Sequence, residues 1–438
     1  MRRWILLSAG TLAIAGAAGR VALARAPRKA VSAGATRASG FSERTERDEQ
    51  IRVWHQALDA DPTSAAALGQ LAALHLQRAR EGGSWDDYLT AERYARRSIA
   101  KRTNRNAKTA VTLVSALLAQ HRFVEARDAA AALVRREPDI PQYRSLLGEV
   151  AMELGDYPTA GMMLDSLWSE RAILSIAPRL ARWSELNGRS GEARRLLETA
   201  RDEALSRTDV PSETKAWFQF RVGDLALRTG RLRGAESAFR AGLVIEPDDP
   251  RLLSAMARLS AVSGKPAEAI SWGDRAIATQ LDPGTLGVVG DAYATLGDRA
   301  KAAEYFRTME VAVTAQPGPF HRAWSLYLLD HNSRVDDVLQ KARAELRQRR
   351  DIYGYDLVAW ALHRAHRDRE ATSSMRSALR LRTPDAMLWF HDGMIARAVG
   401  DVSRARTSLQ RALSLNAHFH ASQPAEARAV LDSLAQGR

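Results

Sequence analysis

The hydrophobic pattern of this chain repeats. Three stretches show it most clearly: LGEVAMELGDYPTAGMML (Leu147 to Leu164), VGDLALRTGRLRGAESAFRAGLVIEP (Val222 to Pro247) and VGDAYATLGDRAKAAEYF (Val289 to Phe306). In each, a large residue is followed by Gly, a helical run, a second Gly, then Ala and a large apolar residue four positions on. Such self-similarity predicts helix pairs stacked one on the next, because a single pair cannot bury its apolar face alone.

Aligning the copies on the Ala of the second helix gives the anchors Ala126, Ala160, Ala193, Ala235, Ala269, Ala302, Asp337, Ala371 and Ala405. Successive anchors lie 34, 33, 42, 34, 33, 35, 34 and 34 residues apart. All intervals but the third sit within one residue of 34. The long third interval places extra residues near Arg201 to Ser212, as an extended second helix or a longer loop. Ser64 to Ala100 reads as a further pair anchored on Ala91, its loop lengthened by Glu81 to Asp87. Glu46 to Ala60 reads as a lone leading helix. Near the C-terminus, Ala427, Val430, Leu431 and Leu434 fall on one face of a capping helix.

Each slot has a physical meaning. Gly148, Gly223, Gly290 and Gly393 sit where two helices cross closely. Gly155, Gly188, Gly230, Gly264, Gly297 and Gly400 end the first helix with positive φ. Leu164, Leu197, Phe239, Phe306, Met375 and Leu409 fill the space between neighbouring pairs. Pro138, Pro247 and Pro384 stop the second helices. The pair anchored on Asp337 has neither the Ala nor the Gly and is the weakest.

These residues resemble the tetratricopeptide repeat (TPR), a 34-residue helix-turn-helix unit with Gly in its first helix, Ala and Phe in its second and a closing Pro. The resemblance implies an all-α fold, a right-handed α-α superhelical solenoid of about ten pairs, and is silent on function. The stretches YDLVAWAL and WFHDGMIARAVGD, up to Leu415-Asn416, are similar to the C-terminal end of exported bacterial TPR proteins of undefined role. The predicted organisation is a signal peptide or N-terminal anchor over 1–26, a flexible linker over 27–46, the solenoid over 47–420 and the capping helix over 421–438.

The first segment carries Arg2 and Arg3, then the uncharged run Trp4 to Ala18, then Ala22-Leu23-Ala24 as a small-x-small cleavage site. The run is short for a membrane span of roughly 20 residues, so cleavage is the first reading and an uncleaved anchor the second. The Arg pair also gives a loose match to a twin-arginine signal.

In TPR proteins the concave groove is lined by first-helix positions two, five, nine, twelve and thirteen. By that resemblance the groove here offers Trp217, Phe220, Asp224, Arg228, Arg251, Arg258, Arg322, Tyr353, Asp356, Trp360, Arg364 and Arg397. Trp324 and Trp389 fall on packing slots instead. Arginines beside aromatics suit an extended peptide, including an acidic one. The net charge of +13 adds little: only seven of 64 basic residues are Lys, an excess that genome composition can produce, and the groove carboxylates dilute the field. No basic stripe with stacking aromatics marks a nucleic-acid partner. Membrane contact is expected only through an uncleaved N-terminal segment, and the oligomeric state is not legible.

There is no Cys, which excludes disulfides, thiol catalysis and Cys-based zinc sites. No phosphate-binding loop, nucleophile elbow or H-E-x-x-H helix occurs, and the repeats leave no room for a catalytic domain. A binding protein with no enzymatic role and no cofactor is therefore expected. The alternative is an envelope protein that binds a metal or small ligand through His363, His391, His418 or His420, although His366 falls in a turn and no ligand cluster completes a shell.

Overall fold

The computed structural model describes residues 34–315 and 322–436. The segment expected to direct export, over 1–26, lies outside them.

A leading helix, α1 (Gly34–Ala60), is followed by ten antiparallel pairs. They are α2 (Ala65–Gly82) with α3 (Trp85–Lys101), α4 (Ala107–Ala119) with α5 (Phe123–Arg136), and α6 (Pro141–Leu154) with α7 (Tyr157–Asp165). Next come α8 (Ala177–Leu186) with α9 (Ser190–Ser206), α10 (Ser212–Arg228) with α11 (Leu232–Ile245), and α12 (Pro250–Val262) with α13 (Pro266–Thr279). Then follow α14 (Pro283–Thr295) with α15 (Arg299–Ala315) and α16 (Arg322–Asp330) with α17 (Val335–Leu346). The last pairs are α18 (Ile352–Arg364) with α19 (Asp368–Ala378) and α20 (Ala386–Ala398) with α21 (Val402–Leu415), and α22 (Gln423–Ala435) closes the array. No strand occurs among the described residues, and none of their helices is long and apolar enough to cross a membrane.

The slots of the repeat are packing instructions. A Cβ placed on Gly148 would stand 2.7 Å from Leu164, and one on Gly393 would stand 2.6 Å from Leu409. At Gly223 and Gly290 the collision is with Phe239 and Phe306. So the bare backbone of the first helix receives the large residue that follows the Ala anchor of the second. In the pair of α12 and α13 the sizes are redistributed: Gly273 takes the large-residue slot and lies against Val289 of the next pair.

The turn after each first helix needs one left-handed residue. The six predicted glycines take φ between 73° and 85° there. Where Gly is missing, His121, Asn332 and His366 adopt φ of 56°, 53° and 57°. The weak pair is thus closed by Asn332, a residue that tolerates this region better than most.

Several boundaries differ from the sequence reading. The linker expected over 27–46 is helical from Gly34, as the first part of α1. Glu43, Arg44 and the adjoining Arg47 dock on distant helices. The Glu43 carboxylate accepts from Ser212 N and Oγ at 3.0 Å each, Arg44 donates to Glu246 at 2.8 Å, and Arg47 pairs with Glu81. The loop expected over Glu81 to Asp87 is only a Gly83-Ser84 turn, because α2 continues to Gly82. Ser84 caps α3 by accepting from Asp87 N. The long interval between Ala193 and Ala235 is absorbed mainly by helix, since α9 and α10 have 17 residues each. Pro384 stands just before α20 rather than at the end of α19, which already stops at Ala378.

The array winds back on itself. Gln280 Nε2 reaches Gly83 O at 3.5 Å, and Arg349 donates to the Glu153 carboxylate at 2.8 Å. Ile352 N donates to the Tyr157 hydroxyl at 2.9 Å, and Thr383 Oγ1 donates to Leu186 O at 2.7 Å. Asn416 Nδ2 donates to Leu227 O at 3.0 Å. The partners are separated by 197, 196, 195, 197 and 189 residues respectively. In each case the chain around the turn between the two helices of one pair meets the chain entering a later element, one superhelical turn on. With repeats of about 34 residues, a turn takes between five and six pairs. The concave face therefore becomes an interior lumen with a seam along its side.

Candidate functional site

The first helices of the array point their polar slots into this lumen. Two main chambers result. The first, of ≈ 620 Å³, is lined by α2, α4, α6, α8, α10 and the start of α12, with Tyr88 of α3 and residues 174–175, and with Trp217 and Arg251 among its residues. The second, of ≈ 490 Å³, is lined by α8, α10, α12, α14 and α16 and by the segments 383–388 and 416–421. Arg228, Arg258 and Arg322 face it. A smaller recess of ≈ 130 Å³ lies beside Arg322 and Tyr353. Tyr353 stands between the main chambers, with the Arg182 guanidinium 5.5 Å from its ring centre and the Arg322 guanidinium 5.3 Å away.

The lumen's charges are extensively paired. Arg251 holds Glu213 at 2.9 Å and Asp249 at 2.6 Å. Arg179 holds Glu149 at 2.6 Å. Glu185 is shared by Arg182, at 3.2 Å, and Arg228, while Asp224 is shared by Arg228 at 3.0 Å and Arg258 at 3.4 Å. Burial lifts the Glu153 carboxyl above its ordinary value, against the pull of Arg349 and Arg182. A low-dielectric setting strengthens such pairs and also makes any unmatched charge costly.

Other predicted groove residues are placed elsewhere. Phe220 packs beside the core of α10 to α12, 6.4 Å from the Phe239 ring in a stacked arrangement. Asp356 is fully buried and joined to His391 Nδ1 at 2.7 Å and Arg322 at 2.8 Å. Burial alone would raise its carboxyl, but His391 and Arg322 outweigh this and hold it below the usual range. Trp360 is 3% exposed, donates from Nε1 to Asp330 at 3.0 Å and stacks on His391 with ring centres 4.1 Å apart. Neither side chain is free to hold a partner. Arg364 lies over the Trp360 ring at 5.8 Å, and Arg397 is exposed near the end of α20, outside the chambers.

The reason is the return of the chain after α21. Asn416 to Gln423 crosses the concave side of the last pairs. Phe419 packs 5.6 Å from Phe390, and Gln423 reaches Asp330 at 3.4 Å. The groove slots of α18 and α20 are thereby converted into core. At the opposite end, α1 spans Glu81, Ser212 and Glu246 beside the first chamber.

The slot rule also identifies residues not singled out from the sequence. Counting from Gly148, positions nine and thirteen are Glu149 and Glu153; counting from Ala181, positions nine and twelve are Arg182 and Glu185. All four line the main chambers. The same count that marked Asp224 and Arg228 would have found them.

The histidines do not assemble. His363 Nδ1 contacts Asp368 at 2.6 Å, His391 Nδ1 contacts Asp356, and His418 and His420 line the second chamber. Among the described residues no group of three or more His, Cys, Asp or Glu gathers as a metal site would require.

No curated protein sequence matches the chain. Similar solved structures include PilW, described as a widely conserved type IV pilus biogenesis factor, at 16% identity, covering 51% of this chain and 99% of that one with a TM-score of 0.41. A tetratricopeptide repeat protein from Parabacteroides merdae is 15% identical over 60% of this chain and 98% of its own, with a TM-score of 0.35. The Cut9-Hcn1 hetero-tetramer of the APC/C matches at 12% identity over 92% of this chain and 96% of that one, with a TM-score of 0.34. A family model described as tetratricopeptide repeat matches residues 111–161 and 220–284. Both stretches lie inside the series of helix pairs, so these parts of the chain carry tetratricopeptide repeats and the described residues share their helix-pair architecture.

Proposed function

We propose that this chain is an exported, non-catalytic scaffold that holds a protein partner through an extended segment seated in the lumen. TPR solenoids in general serve protein-protein interaction. The observation that carries the reading is the convergence of first-helix slots from α4 to α16 on one interior, where Trp217, Arg251, Arg228 and Arg258 face open volume. Chambers of ≈ 620 and ≈ 490 Å³ suit side chains or a short extended stretch, not a folded domain. The uncharged run Trp4 to Ala18 and the Ala22-Leu23-Ala24 site support export.

The test is affinity capture from an envelope extract, comparing the wild-type chain with a Trp217→Ala/Arg258→Ala double variant. The expected result is a partner retained by the wild type and lost from the double variant. Recovery of the same partner at the same yield by both would overturn the lumen as its binding surface. Mass analysis of the chain made in a bacterial host checks export, with cleavage expected shortly after Ala24.

A further inference from the structure

The first chamber carries more positive charge than its carboxylates can match. Its glutamates are committed: Glu149 to Arg179, Glu153 to Arg349 and Glu213 to Arg251. Among the described residues the one carboxylate within 4.0 Å of Arg182 is Glu185, which also serves Arg228. Arg80 and Arg221 line the same chamber, and no carboxylate of the described residues lies within 4.0 Å of either.

Arg221 is the more informative of the two. Its guanidinium lies 5.6 Å from the Trp217 ring centre, and its Nε is buried without a hydrogen-bond partner. A buried donor with no acceptor costs about 1–3 kcal/mol, more when charged. Burial pushes the Arg221 pKa below the usual arginine value; Asp224, and more weakly Glu149 and Glu153, pull the other way while Arg182 adds to the lowering, and burial prevails. The Trp217 ring offers the guanidinium a cation–π contact but no acceptor for its Nε. An anion in the chamber would supply the acceptor that this Nε lacks.

The chamber's form indicates what that is. A concave volume of ≈ 620 Å³ falls within the roughly 300–1,000 Å³ range of small-molecule sites. Tyr88 and Trp217 give it aromatic walls beside the arginines. We infer that this chamber is a binding site for a small organic oxyanion, a carboxylate or phosphate on a planar or apolar body, gripped by Arg221 and Arg80 with the body against Trp217 and Tyr88. Guanidinium groups match both oxyanions in bidentate geometry. The inference goes beyond the scaffold reading and does not depend on it, because it follows from the charge balance of one chamber.

Calorimetric titration of the full chain with phthalate, with inorganic phosphate and with the neutral dimethyl phthalate tests it. The expected result is saturable binding of at least one of the two anions and none of the neutral ester. Binding by phthalate alone identifies a carboxylate ligand, and binding by phosphate alone identifies a phosphate ligand. Arg221→Gln should weaken binding at least tenfold, and Arg80→Gln at least threefold. Arg80 is exposed, so its variant keeps the fold and preserves the test even where Arg221→Gln lowers stability. Arg397→Gln, at the far end of the array, should bind as the wild type does. Absence of saturable binding by both anions, or unchanged affinity in both arginine variants, would overturn the site. Partner capture is measured separately, so either idea can fail alone.

Discussion

At the scale of single residues, this fold is governed by where a side chain is missing. Gly223 and Gly290 in the first helices are faced by Phe239 and Phe306, and an added methyl group would collide with either ring. Overpacking of this kind costs about 1–3 kcal/mol, offset only partly by the better helix propensity of Ala. Gly223→Ala should therefore lower stability by about 1–2 kcal/mol in urea unfolding. In a Phe239→Ala background, where the ring is gone, the same change should be neutral or stabilising. An equal loss in both backgrounds would mean that the Gly serves the backbone rather than the ring. The same scale explains the misplaced groove residues. Trp360 and Asp356 obey the slot rule, yet Asp330, His391 and Arg322 satisfy their polar atoms.

Elements outside the regular pairs decide how the lumen ends. The helix α1 uses Glu43, Arg44 and Arg47 to join parts of the chain that are far apart in sequence. The segment from Asn416 to Gln423 fills the concave side of α18 and α20 and leads into α22, whose Ala427, Val430 and Leu434 are buried. Phe419 is the apolar centre of that segment, set against Phe390. Phe419→Ala should cost about 1–3 kcal/mol, on the low side for a large-to-small change because the ring is only partly buried. It should also raise protection loss in α18 and α20, read by hydrogen exchange at Trp360 and Phe390. Unchanged exchange in those helices would show that the crossing segment is not what covers them.

For the whole molecule, the informative feature is the contact between successive superhelical turns. Tyr157 and Thr383 each make one seam hydrogen bond and Asn416 makes two, to Leu227 O and Arg228 O, in buried or nearly buried settings. A typical bond of this kind contributes about 1 kcal/mol net, and leaving the partner unsatisfied costs about 1–3 kcal/mol. The triple variant Tyr157→Phe/Thr383→Ala/Asn416→Ala should unfold at lower temperature. Its radius of gyration by small-angle scattering should rise above the value of about 22 Å expected for a compact chain of this length. A radius and melting temperature equal to the wild type would show that apolar packing alone closes the turn.

The sequence by itself determined the repeat. A period near 34, an Ala anchor and a matched Gly and large residue are local rules, so they are legible in one copy and checked in the next. They fixed ten pairs, a leading helix and a cap, and the slot count placed Trp217, Arg228, Arg251, Arg258 and Arg322 on the interior. What only the tertiary structure decided is everything that depends on adding small rotations over many pairs. Whether Tyr157 meets Ile352, or Asn416 meets Leu227, depends on the summed twist of the intervening pairs and is written in no single repeat. The docking of residues from Glu43 onward, the burial of Trp360 and the charge surplus around Arg221 follow from that sum, because each requires chain segments far apart in sequence to meet in space.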